Sequence, residues 1–142
     1  VLYLGSSLKV CFLEAMLRDR RNGQVGDYPI EEAELSARVV AHIAPSRPLK
    51  LVDLRHDGPV RMGIPTDVVR ASAHTLSRVW SAALHDHPAK VDGIIYPSRL
   101  NDEVNLAVFE RAVPALRAAQ TSPLIMALGF ASVLNDLKVA LI

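Results

Sequence analysis

A chain of 142 residues, half of them hydrophobic and 22% charged, has the length of about one domain and a composition able to bury a core. Sixteen Lys and Arg against fifteen Asp and Glu leave a net charge of +1, which removes the bulk electrostatic case for direct binding to nucleic acid or an anionic membrane. Cys11 is the single cysteine, so an intrachain disulfide and a cysteine-based metal site are excluded, in keeping with a reducing cytoplasm. The longest apolar stretches, around 10–17 and 124–134, are too short or too interrupted to cross a hydrocarbon layer of about 30 Å.

Val1-Leu-Tyr-Leu4 reads as a short strand stopped by Gly5, and a chain opening on Val inside such a run implies a missing N-terminal segment. Ser6 or Ser7 is positioned to cap a helix running from Leu8 to about Arg21, with Val10, Cys11, Leu13, Met16 and Leu17 at helical spacing and Gly23 as its stop. Pro29 opens a turn of helix through Glu31, Glu32 and Glu34. Val39, Val40 and Ile43 suggest a strand, with Leu49 to Leu54 as its partner. The segment His56-Asp-Gly-Pro59 signals a turn, and a second helix is expected from Ser72 to Leu84 with Leu76, Val79, Trp80 and Ala83 on one face.

Val91 to Ser98 is a β-branched strand ended by Pro97, and Asn105 to Phe109 is a further strand after a polar loop. Beyond Pro114 the chain reads as short helical segments, one from Pro123 to about Asn135, with a last strand from Lys138 to Ile142. The expected class is α+β: one compact domain over 1–142 with short mixed strands and flanking helices.

Chemistry is sought where polar residues sit in apolar settings. Glu14 lies in a helix otherwise apolar from Val10 to Leu17, so its carboxylate either faces a cleft or points outward and pairs with Arg18 at i,i+4. Ser98 follows Tyr96-Pro97 at the end of an apolar strand, where a hydroxyl can bind a ligand oxygen or cap a turn. Tyr3 is suited to the core or to stacking on a ligand ring. His85-Asp-His87, with His74 nearby, lacks the helix-borne spacing of a metal site, and no metal is expected. The run Gly58-Pro-Val-Arg-Met-Gly63 lacks the Lys and Ser/Thr of a phosphate loop, and no Gly-x-Ser-x-Gly elbow is present.

Taken in order, Val1-Leu-Tyr-Leu-Gly-Ser6, Glu14, Asp53-Leu54, Trp80-Ser-Ala-Ala-Leu84, Asp92-Gly-Ile-Ile-Tyr-Pro-Ser-Arg99 and Asn105-Leu-Ala-Val-Phe109 resemble the RES domain family across almost the whole chain. That resemblance implies a fold similar to ADP-ribosyltransferase toxins and cleavage of the nicotinamide–ribose bond of NAD, by hydrolysis or by phosphorolysis with inorganic phosphate as co-substrate. It makes NAD a substrate and leaves no resident cofactor. It also implies the toxin half of a bacterial toxin–antitoxin pair, restrained by an Xre-type antitoxin that would carry any DNA contact, and it allows a homodimer within that complex.

Of the arginine, glutamate and serine that name the family, Glu14 and Ser98 match the last two and become the catalytic candidates. Tyr3 and Arg99 become the substrate-binding candidates. The family arginine lies upstream of the Leu-Tyr-Leu strand, before Val1, and maps onto no residue here. Two alternatives share these residues: a catalytically inactive interaction module that keeps the fold, and an ADP-ribosyltransferase that modifies a protein.

Overall fold

A computed structural model describes residues 1–70 and 74–142. It is α+β, as expected. Its centre is a four-stranded sheet in the order β1 (Leu2–Gly5), β6 (Val104–Val108), β5 (Gly93–Pro97), β4 (Leu51–Asp53). The pairs β1–β6 and β6–β5 are antiparallel, and β4 pairs parallel to β5. Residues opposite one another in an antiparallel register share a face, so Tyr3, Ala107 and Ile94 form one row and Gly5, Asn105 and Tyr96 the next, on the same side of the sheet.

That side is covered by helices. Ser7 caps α1 (Leu8–Phe12), its hydroxyl accepting from the Val10 amide at 3.1 Å. The helix then widens into a π-helical turn over Leu13–Leu17 and stops at Arg18, whose ψ of 124° is no longer helical. The predicted continuation to Arg21 is therefore four residues too long: the apolar positions end at Leu17, and the helix ends with them. A Cβ at Gly5 would stand 2.6 Å from Val10 Cγ1 and 2.7 Å from Cys11 Sγ, so glycine there lets α1 lie directly against β1.

Two apolar clusters hold the molecule. Phe12, Met16, Leu17, Ile30, Leu35, Leu124, Phe130 and Val133 form one, with the Phe12 and Phe130 rings edge to face at 5.7 Å. It joins α1 and the π turn to α2 (Glu32–Ser36), α6 (Phe130–Asp136) and the parallel pair β2 (Tyr28–Ile30) and β8 (Val139–Leu141). The second gathers Leu54, Ile64, Val68, Val91, Ile94 and Phe109 under α4 (Asp67–Arg70) and α5 (His74–Asp86), with Ile64 following the short α3 (Gly58–Arg61).

Several expected elements differ. Pro29 lies in β2 and the helix starts only at Glu32. The strand β3 (Val39–Pro45) pairs with β7 (Leu116–Pro123) instead of with the 49–54 segment, which joins the central sheet. The region after Pro114 is thus extended where short helices were expected, and Pro123 precedes a single 3₁₀ turn before α6 begins. Trp80 and Leu84 pack on the second cluster, whereas Val79 and Ala83 are exposed, so the buried face of α5 is rotated from the predicted one. The predicted start at Ser72 and the Leu76 side chain lie outside the described residues. Among the described residues no helix is long and apolar enough to cross a membrane.

Candidate active site

The helix-covered side of the sheet holds a cleft of about 1150 Å³. Its floor is the pair of rows set by strand register, Tyr3, Ala107 and Ile94 beside Gly5, Asn105 and Tyr96, and its walls include Glu14 of the π turn, Arg18 just after it and Trp80 of α5. A π turn inserts one residue into the helical repeat and re-aims the side chains it carries, a device frequent at functional sites. Here it carries Glu14.

Both alternatives for Glu14 meet in this geometry. It lines the cleft and its Oε2 lies 3.6 Å from Arg18 Nη1. Its Oε1 accepts from Ser98 Oγ at 2.8 Å and from Asn105 Nδ2 at 2.9 Å. Ser98, on the loop just past β5, is 1% exposed, and Asn105 is also buried. The Ser98 hydroxyl accepts in turn from the Leu100 amide at 3.1 Å, while the Ser98 amide donates to the Glu103 carbonyl at 2.6 Å. A hydroxyl has one proton, and in this arrangement it goes to Glu14.

Tyr3 is 70% exposed at the cleft, which removes the core alternative for it. Tyr96, two strands away on the same face, is half-buried, and burial together with the neighbouring Tyr3 and Glu14 pushes its phenol up to about 12, keeping it a proton donor. Arg99 is exposed at the cleft rim, and Arg18 and Arg78 also line it, so three guanidinium groups border the space. His85 turns its Nδ1 to Asp86 at 2.8 Å and its ring edge-on to Phe109, and among the described residues no three potential ligands gather round a metal position. Asn105 is the residue that sequence reasoning missed. Its signal was present: an amide at an inward position of an otherwise apolar strand needs a buried partner.

The model of one family, the RES domain, matches residues 1–128. The chain belongs to the RES domain family. A relative from Sinorhizobium fredii, named "Probable toxin y4kH", is 49% identical over 109 residues, which are 77% of this chain and 86% of that protein. No solved structure matches the chain.

Proposed function

We propose that this RES domain is a toxin enzyme that breaks the nicotinamide–ribose bond of NAD and is restrained by a cognate antitoxin. The observation that carries this proposal is the carboxylate of Glu14, fixed through one oxygen by two buried donors at the edge of a large cleft. Nicotinamide in NAD is already cationic, so when the C1–N bond breaks the electron pair neutralises it and it departs without taking a proton. Positive charge passes to the ribose. One oriented carboxylate therefore meets the main electrostatic need, whereas hydrolysis of an ordinary glycoside also requires an acid to protonate the leaving group.

In this scheme Glu14 Oε2 meets the ribose and stabilises the developing cation. Tyr3 offers its exposed ring to a planar base. Arg99 and Arg78 at the cleft supply charge for the pyrophosphate. Water then adds to C1 and releases a proton, giving free ADP-ribose, or inorganic phosphate adds and gives ADP-ribose 1-phosphate. The name of the Sinorhizobium relative supports a toxin role, and the family resemblance supports NAD as substrate, a likeness to ADP-ribosyltransferase toxins and an Xre-type antitoxin as partner.

Glu14→Gln keeps shape but removes the charge, and is expected to lower NAD turnover by roughly 10²-fold or more while the protein still melts cooperatively. Chromatography of the products reads the acceptor: free ADP-ribose indicates water, its 1-phosphate indicates phosphate, and label on a protein indicates transfer. A folded Glu14→Gln protein with wild-type turnover would remove Glu14 from the mechanism. Wild-type protein without NAD cleavage would favour the interaction module.

A further inference from the structure

The two oxygens of Glu14 are not equivalent. Oε1 receives two hydrogen bonds from buried groups, whereas among the described residues Oε2 meets only Arg18, at a distance too long for a hydrogen bond. The donors come from different elements. Asn105 is on β6, held in register between Gly5 and Tyr96. Ser98 is on the loop that joins β5 to β6, where the Ser98 amide to the Glu103 carbonyl, the Asp102 amide to the Ser98 carbonyl and the Leu100 amide to Ser98 Oγ tie the turn together.

We infer that Asn105 and Ser98 are positioning residues: together they form a two-donor clamp that fixes Oε1 and selects Oε2 as the oxygen that meets the ribose. This rests on the proposal that Glu14 stabilises the ribosyl cation. A glutamate side chain has three rotatable bonds, and on the wall of an open cleft its carboxylate would otherwise sample several rotamers and exchange its two oxygens by rotation. The clamp removes that freedom before substrate arrives. An amide suits position 105 for a reason of charge. Aspartate there would set a second carboxylate against Glu14, and leucine would leave Oε1 short of one partner in a buried setting. Neither donor has to touch NAD, so loss of either should act on the chemical step more than on binding.

The test compares Asn105→Ala, Ser98→Ala, Ser98→Thr and Glu14→Gln in the full chain, with kcat and KM for NAD measured on each and thermal melting as the fold control. Each alanine variant is expected to lose about tenfold to a hundredfold in kcat, the equivalent of one hydrogen bond to a charged group, with KM changed by no more than about twofold. Ser98→Thr, which keeps the hydroxyl, is expected to recover most of the loss. Unchanged kcat in folded Asn105→Ala, or a loss confined to KM, overturns the clamp while a dead Glu14→Gln leaves the mechanism standing. A readout independent of turnover separates the two proposals if NAD proves not to be the substrate. The side-chain amide resonances of Asn105 are expected to move when its acceptor is removed in Glu14→Ala, and their indifference to that change would equally overturn the clamp.

Discussion

Asp92 shows how a single buried charge is made tolerable. It sits at the entry to β5, 6% exposed, and Arg47 forks onto its two carboxylate oxygens at 2.8 and 2.9 Å while the Lys50 amide adds a third bond at 2.8 Å. The guanidinium bonds first, and the amide next, draw its carboxyl from 3.8 down to about 2. A folded-state value below the unfolded one adds stability that is fully present above about pH 4 and disappears as pH falls through 2. Asp53 is also drawn down to about 2, by Arg55, but its carboxylate is far more exposed than that of Asp92 and the pair is screened by water and salt. Arg47→Ala is therefore expected to destabilise the protein by about 2 kcal/mol at neutral pH and to flatten the fall in melting temperature between pH 4 and 2. Asp53→Asn should change neither by much, and a melting series across that pH range compares them.

At the scale of elements, glycine sets how closely the parts of the site approach. A Cβ at Gly93 would stand 2.3 Å from the Ala107 carbonyl oxygen, a backbone atom of the paired strand that cannot step aside, whereas a Cβ at Gly5 meets only side-chain atoms of α1 at its closest. Gly93→Ala is expected to cost about 2 kcal/mol or more by forcing β5 and β6 apart. Gly5→Ala should cost less stability but lift α1 off β1, carrying Glu14 away from its donors and lowering turnover out of proportion to the change in melting temperature. Strands β1, β5 and β6 are legible in the sequence because each is a short apolar or β-branched run bounded by turn residues, and with them came Tyr3 and Ser98. The strand β7 is not, since Arg117 to Thr121 is exposed throughout and no alternation of apolar and polar residues marks it. The partner of β3 was misassigned because pairing across more than 70 residues leaves no local trace. The clamp on Glu14 was hidden for the same reason: its donors lie 84 and 91 residues further along the chain.

At the scale of the whole molecule, the proposed function would place restraint in a partner, and the cleft is the surface that a blocking partner would occupy. A chain with net charge +1 gives DNA little to hold, so affinity for operator DNA is expected to appear only with the antitoxin bound. In that complex, amides around Glu14 and the 98–103 loop should become protected from hydrogen exchange and NAD cleavage should cease. A complex that forms yet leaves those amides unprotected and NAD cleavage running would refute the blocking mechanism. The position of the cleft has a further consequence. The π turn belongs to one apolar cluster and Trp80 to the other, so a molecule seated between them splices two separately packed halves. Any ligand present at a hundredfold above its dissociation constant adds about 2.7 kcal/mol to the stability of the folded state. A partner or ligand seated there is therefore expected to slow proteolysis of the chain, and limited digestion of the free and bound protein reads the difference.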